Sequence, residues 1–478
     1  MVLPLTDTED RMPERRSSQQ TVRLRQSRQG RPLFLYAVYC LLSILLAVSA
    51  LGELPTQGVA APAIQEENFA GWGEEVMELL GQLQEGPPKS LHDFQEEMVP
   101  LEDAVNDKSQ GVIHQIEGAT LALGKGEAQL KAYKHKEANA NLRKSASGYE
   151  LAIKGLSEST SGGLPQNPSL EAMVWYNLGH VYTHLAEWAR AEETLLKAMG
   201  IQKLSGKEKD LANTYNSLGI VALKRGDKAS VIHYFEESIS LARRTGFPQV
   251  EAASLGNMGV VYYLKGNPKK ALQSYEAAIK IQRKLGYRPW EAKYLSSQGF
   301  IYHLQGKLEQ ALHAYKMALR INREIGNKRE EASNLGSMGV IYNFQRKPEE
   351  SLDAYATALN IHRDMGLRSE VTKDLSNIGI VYQSQGRLED ALNAYKESLQ
   401  IHKMLHDLRG EAKDLNNVAV IYQAQGKMEE ALAAYEEAYN LFQFIKSPVE
   451  LEVVKGNIAR IKAQLEGRAT PDSGKGKK

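Results

Sequence analysis

The sequence predicts an all-α fold, an α-solenoid of stacked helix-turn-helix repeats behind one N-terminal apolar helix. Three observations predict it. First, a glycine recurs every 40 residues in the same apolar setting, at Gly179, Gly219, Gly259, Gly299, Gly339 and Gly379, and Ala419 and Ala459 then take the same slot. A fixed period of this length marks supersecondary units that cannot bury their apolar face alone and stack to do so. Second, other columns keep the register. Tyr182, Tyr262, Tyr302, Tyr342, Tyr382 and Tyr422 stand three residues after the slot, and Leu195, Phe235, Tyr275, Tyr315, Tyr355, Tyr395 and Tyr435 stand sixteen after it. Third, residues 32–52 form an uncharged apolar run, long enough to span a bilayer.

From the N-terminus, residues 1–31 carry seven arginines against four acids and read as a basic disordered arm. Residues 32–52 are a transmembrane signal-anchor or a cleaved signal peptide. The run exceeds an ordinary signal core, which favours the anchor; Val48-Ser49-Ala50 and Ala61-Pro62-Ala63 would serve a cleavable signal, and Met12 is an alternative start. Both readings place the repeats outside the cytoplasm, as a single-pass membrane protein or as a secreted or periplasmic one.

Residues 53–112 form an acidic linker with short helices; residues 53–108 hold thirteen acids and two lysines. Phe69 to Leu83 suits an amphipathic helix, ended by Pro87-Pro88, and Ser90 with Asp93 resembles a helix start. This stretch either docks back on the repeats or forms a solvated stalk. Residues 113–169 read as a degenerate repeat and loop, with Ser145, Tyr149 and Ala152 matching Ala271, Tyr275 and Ala278, and with a poorly defined first helix that lacks the slot glycine.

Residues 170–447 are the regular repeats. In each, an apolar helix such as the one through Gly259 and Tyr262 turns at a glycine such as Gly266, and a second helix starts near Pro268. Gly206, Gly246, Gly286, Gly326 and Gly366 end the second helix, with His406 in the sixth case. Small residues at the slot let helices approach, and the aromatic column fills the space between them. Residues 448–466 read as a capping helix and 467–478 as a disordered basic tail.

The set Asn377, Ile378, Gly379, Tyr382, Ala391, Tyr395 and Ser398 resembles the tetratricopeptide repeat (TPR), whose small and aromatic positions have these offsets. The 40-residue unit is longer than the usual 34, and is similar to the long-helix variety of kinesin light chains and spindle-polarity adaptors. The resemblance covers about residues 170–465 and implies a right-handed α-solenoid. It implies protein binding, with stacked first helices lining a concave groove.

The net charge of +1 argues against a dedicated nucleic-acid binder. The only cysteine, Cys40, lies in the apolar run, so the repeats have no thiol to ligate a metal or form a disulfide. There is no phosphate-binding loop, no His-Glu-x-x-His and no Gly-x-Ser-x-Gly. No catalytic residue, cofactor or metal is therefore expected; His362 and His402 read as solvated side chains, and the abundant Glu and Lys as surface charge.

What remains is binding. Asn177, Asn257, Asn377, Asn417 and Asn457 stand two residues before the slot. An amide donates and accepts at once, so such a ladder can bond an extended peptide's backbone, or each amide can bond its neighbouring repeat. Lys293, Lys373 and Lys413, six before the slot, add positive charge; Tyr263, His303, Asn343, Gln383 and Gln423, four after it, vary specificity. The expected partner is a protein or peptide segment, acidic ones included. A sensor or regulatory subunit of a signalling enzyme on another chain is the alternative. A second column, Lys203, Arg243, Arg283, Arg323, Arg363 and Lys403, either complements helix C-termini or binds an anionic stripe.

Overall fold

The computed structural model describes residues 83–84, 89–95, 98, 107–131, 135–158 and 167–469. The N-terminal arm, the apolar run at 32–52, the amphipathic stretch before Leu83 and the tail from 470 lie outside the described residues. Among the described residues, no helix is long and apolar enough to cross a membrane. The described chain forms two compact units, divided between Tyr262 and Tyr263.

The first unit contains α1 (Asp107–Lys131), α2 (His135–Glu158), α3 (Pro168–His184), α4 (Trp188–Ser205), α5 (Glu208–Arg225), α6 (Lys228–Arg244) and α7 (Pro248–Leu264) through Tyr262. Helix starts follow the local chemistry. Asn167 accepts from the Leu170 N–H with Pro168 in the first turn, and Asp227 accepts from Ala229 and Ser230. Ends are set by left-handed residues, glycine at Gly206 and Gly226.

The second unit contains α8 (Pro268–Lys284), α9 (Arg288–Leu304), α10 (Leu308–Glu324), α11 (Lys328–Phe344), α12 (Pro348–Asp364), α13 (Arg368–Ser384), α14 (Leu388–Leu405), α15 (Leu408–Ala424), α16 (Met428–Phe444) and α17 (Pro448–Ala469). Within it, consecutive helices pack as pairs and pairs pack in chain order. The expected capping helix is α17, which runs three residues further than the sequence suggests and buries Val454 and Ile461 against α16.

The glycine slot is a steric requirement. A Cβ added at Gly219 would lie 2.6 Å from the Phe235 ring, and one at Gly379 would lie 2.6 Å from the Tyr395 ring. The aromatic column sixteen residues on is core, with Phe235, Tyr275, Tyr355, Tyr395 and Tyr435 almost fully buried. Most tyrosines three after the slot are only half-buried, and Arg387 lies over the Tyr382 ring at 4.2 Å.

The degenerate repeat corrects the sequence reading in two ways. Its first helix is well formed and begins at Asp107, before residue 113. It also has its slot glycine, Gly126, where a Cβ would meet Leu142 at 2.9 Å. Ala138, Leu142 and Ser145 therefore hold the columns twelve, sixteen and nineteen residues on. Ser145 Oγ donates to the Ala119 carbonyl as Ser238 Oγ donates to that of Ala212, at the same offsets. The apparent match of Ser145, Tyr149 and Ala152 is displaced by seven residues. Seven residues are about two helical turns, so the shifted pattern falls on nearly the same face.

Two further columns join successive repeats. Arg283 and Arg323 reach across the turn to Glu291 and Glu331 of the next helix, each at 2.8 Å. Both glutamates are nearly fully buried. Burial alone would raise the Glu331 carboxyl, but bonds from Lys328 and Arg323 hold it below its ordinary value. The basic column is thus a clasp between repeats rather than an anion-binding stripe at these positions. Where Val371 replaces the glutamate, Arg363 bonds Glu397 instead. Beside this clasp runs a buried polar column. It pairs Gln202 with Thr214 at 2.8 Å in the first unit and His362 with Asp374 at 2.6 Å in the second. His362 and His402 are therefore buried, not solvated. Their helix-surface position becomes internal because the next repeat stacks on it.

Candidate functional site

In the first unit two asparagines that stand two before the slot, Asn177 and Asn257, hold a segment of the chain itself. Asn177 Oδ1 accepts from the Lys89 backbone N–H at 2.7 Å, and its Nδ2 donates to the Lys89 carbonyl at 2.8 Å. Asn257 treats Gln84 in the same way, at 2.7 and 2.9 Å. One amide thus closes on both backbone groups of one residue, and no side chain of that residue takes part.

Each clasp is backed by a buried network. Asn177 Nδ2 also donates to Tyr149 Oη at 2.9 Å, and that hydroxyl lies 2.8 Å from Thr120 Oγ1. Burial pushes the Tyr149 phenol far above its ordinary value, so it stays neutral. Asn257 Nδ2 reaches Asn216 Oδ1 at 2.9 Å, and Asn216 Nδ2 donates to the Gln84 carbonyl at 3.0 Å. Ser254 Oγ completes Asn216 at 3.0 Å. Asn216 is one residue before the predicted column, and sequence spacing alone gave no reason to single it out.

The segment that occupies this row is part of the acidic linker. Ser90 and Asp93 form the predicted helix start as a reciprocal box: the Ser90 N–H donates to Asp93 Oδ2 at 2.7 Å, and the Asp93 N–H donates to Ser90 Oγ at 3.3 Å. Phe94 and Met98 are buried in the core of the first unit, with the Phe94 ring 6.4 Å from Tyr149. Lys89 Nζ meets Asp210 at 2.5 Å. Residues 83–84, 89–95 and 98 thus lie on the first unit; the amphipathic helix expected over Phe69 to Leu83, and with it the choice between docking and a solvated stalk, lies outside the described residues except for Leu83.

The predicted residues of the second unit are arranged differently. Asn377 is buried, and Asn417 and Asn457 are half-buried. Asn457 Nδ2 approaches Asn416 Oδ1 at 3.4 Å, and Arg460 donates to Asn457 Oδ1 at 3.3 Å. Lys373 is drawn onto Glu370 at 2.9 Å, which neutralises its charge locally. Lys293 and Lys413 are half-buried on the same row. Tyr263 packs edge-on against Phe300 at 5.8 Å, and His303 against Phe344 at 5.6 Å. Burial pushes the His303 imidazole down to about 4, so it is neutral at physiological pH. Asn343 is half-buried. Gln383 and Gln423 accept from the Tyr395 and Tyr435 hydroxyls, both at 3.3 Å, which fixes the phenols of the core column.

A family model described as Tetratricopeptide repeat matches residues 170–244, 250–324, 297–364 and 371–443. Among solved structures, the chain is similar to a signal-transduction ATPase with numerous domains that carries a tetratricopeptide-repeat sensor, from Pyrococcus horikoshii. That match is at 15% identity with a TM-score of 0.56, and covers 76% of this chain and 54% of that one. The chain thus spans about half of that protein's length. It is also similar to the quorum sensor NprR of B. thuringiensis, at 14% identity over 73% of this chain and 99% of that one, with a TM-score of 0.48. TPR-like repeats of the kinesin-light-chain kind from Podosopora anserina match at 16% identity over 41% and 96%, with a TM-score of 0.36. No curated protein matches the chain.

Proposed function

Since the chain belongs to the tetratricopeptide-repeat family, we propose that it is a non-enzymatic scaffold that holds peptide segments of partner proteins along its row of first helices. One observation carries the reading: Asn177 and Asn257 each close on the backbone N–H and C=O of a single residue. A row that binds main chain this way accepts any extended segment that fits, and neighbouring side chains then select among sequences. Because the row is preformed by helix stacking, little ordering cost opposes binding.

In the second unit the equivalent positions, Asn377, Asn417 and Asn457, stand with Lys293 and Lys413 on the same row, which favours segments bearing carboxylates. Tyr263, His303, Asn343, Gln383 and Gln423 border it. The scaffold is placed on the extracytoplasmic side and anchored through residues 32–52, with the preceding arginines held inside. The helix pairs are read as a right-handed solenoid.

The test uses the full chain and partners recovered by quantitative pull-down from membranes. The triple variant Asn377→Ala, Asn417→Ala, Lys413→Ala is expected to lose at least about 10-fold in affinity, about 1.4 kcal/mol. Peptides from those partners should tolerate alanine at several positions and fail when single backbone nitrogens are methylated. Retention of every partner by the variant overturns the reading.

A further inference from the structure

The first unit contains a cluster that neither the repeat pattern nor peptide holding accounts for. His180 and His184 stand one turn apart on α3, and Glu127 of α1 reaches both. Each imidazole Nε2 lies 3.3 Å from the same Glu127 Oε1. The three candidate donor atoms lie within 4.8 Å of one another. The two rings meet edge-on at 4.7 Å, and Tyr176 stacks on His180. The side chains of His180, His184 and Glu127 are 2%, 8% and 18% exposed.

The spacing is informative. At 3.3 Å the His184 contact is within hydrogen-bonding reach, and the same spacing also suits two donors that share one ion. Two donors bound to one zinc ion at about 2.0–2.1 Å and the tetrahedral angle lie about 3.3–3.4 Å apart. The donor set fits as well: two imidazoles and one carboxylate suit a borderline divalent metal and leave a fourth position open. Such an ion would also balance a carboxylate held among buried rings.

We propose that Glu127, His180 and His184 bind one divalent transition-metal ion of the zinc class. The site joins the N-terminal helix pair to the first regular repeat. Between these two repeats the slot glycines Gly126 and Gly179 are 53 residues apart rather than 40, so the chain itself constrains their packing less. Asn177, His180 and His184 share one stripe of α3, since side chains three and four apart stand one above another. The ion therefore sits one turn from the amide that clasps Lys89, and metal binding tightens that clasp. The histidine pair is legible in the sequence. Glu127 is not, because it lies in the repeat whose register the sequence disguises.

The experiment uses the full chain without a histidine tag, stripped by a chelator and titrated with zinc, and separately with cobalt as a spectroscopic probe. Expected are one zinc per chain with a Kd of about 1 µM or tighter, and the intense visible bands of tetrahedral cobalt. A rise in Tm and slower proteolysis between Gln84 and Lys89 should accompany zinc. His184→Gln and Glu127→Gln should each weaken zinc at least about 10-fold. X-ray absorption on the wild-type zinc form should show imidazole nitrogen in the first shell, a readout that needs no variant to fold. Absence of stoichiometric zinc, an all-oxygen shell, or unchanged affinity in both variants overturns the proposal. Failure of peptide capture leaves it standing, because the metal titration does not depend on a partner.

Discussion

The two units use one repeat register for opposite purposes at the same two columns. In the first, the asparagine row is saturated by the chain's own backbone at Gln84 and Lys89, and the buried pair between repeats, Gln202 with Thr214, is neutral. In the second, the row carries Asn417 half-buried beside Lys413, and the buried column holds Gln282 and Asn322 at two positions and histidine with aspartate at two others, His362–Asp374 and His402–Asp414. Stacking geometry fixes where polar groups are buried but not their charge. A neutral pair adds no proton linkage at its own position; an ionisable one ties local stability to proton uptake.

Removing one amide from each unit should separate the two most strongly. Asn257→Ala strands the Gln84 N–H and removes support from Asn216 and Gln84 O, groups that cost about 1–3 kcal/mol each when buried without a partner. We expect about 3 kcal/mol for the first unit, with release of the linker. Asn417→Ala, in a half-buried position, should cost under about 1 kcal/mol. Hydrogen exchange read by mass spectrometry resolves each unit separately. Equal losses would mean that the clasp contributes no more than an ordinary repeat contact.

Next in size is the glycine slot. Gly219→Ala places its Cβ 2.6 Å from the Phe235 ring, whereas Gly299→Ala meets Tyr315 at 3.1 Å. Overpacking costs about 1–3 kcal/mol, so the first should fall near the top of that range and the second under about 1 kcal/mol. Denaturant midpoints followed by circular dichroism would rank them. A reversed order would show that ring mobility, not distance, decides the fit.

Proton linkage at the buried polar column is expected in the second unit and not at the neutral pair of the first. Burial pushes the Asp414 carboxyl up to about 6 from 3.8. A raised acid is neutral in the folded state while the unfolded chain has already ionised, so stability falls as pH rises from about 4 to about 6. Asp414→Asn removes that loss while keeping an acceptor for Ser376, which bonds Asp414 Oδ1 at 3.1 Å. The variant should be more stable than wild type by about 1–2 kcal/mol at pH 7, with the gain vanishing near pH 4. The difference between variant and wild type cancels the opposite contribution of His303, which is lost as pH falls through about 6.5 to 4. Thr214→Val in the first unit should give a pH-independent change.

Much of this was legible beforehand. Slot glycines, turn glycines and the aromatic column obey local sterics, so their spacing alone placed sixteen residues of separation between Gly379 and Tyr395. The Ser90–Asp93 start was legible for the same reason. Burial of Glu291 and His402 was not, because a helix-surface position becomes interior only when the next repeat covers it. The register of the degenerate repeat is hidden in the sequence because a two-turn shift keeps the same face. The asparagine column was found, but not its occupant: hydrogen bonds between residues 173 apart, as from Gln84 to Asn257, leave no local pattern.

The smallest effect tests whether the units differ in their turns as well. Ala186 in the first unit and Arg346 in the second take the left-handed conformation at the position where Gly226, Gly266, Gly306, Gly386 and Gly426 stand, with φ of 58° and 56°. An L-residue there costs about 1–2 kcal/mol. Glycine removes that strain but adds freedom to the unfolded chain, which returns about half of the gain. Ala186→Gly and Arg346→Gly should therefore each stabilise by about 0.5–1 kcal/mol, a rise in Tm of about 1–3 °C for units of this size. Equal rises would place the contrast between the units in their buried polar columns. A rise at Ala186 alone would mean that the Arg346 side chain makes contacts worth the strain of its backbone.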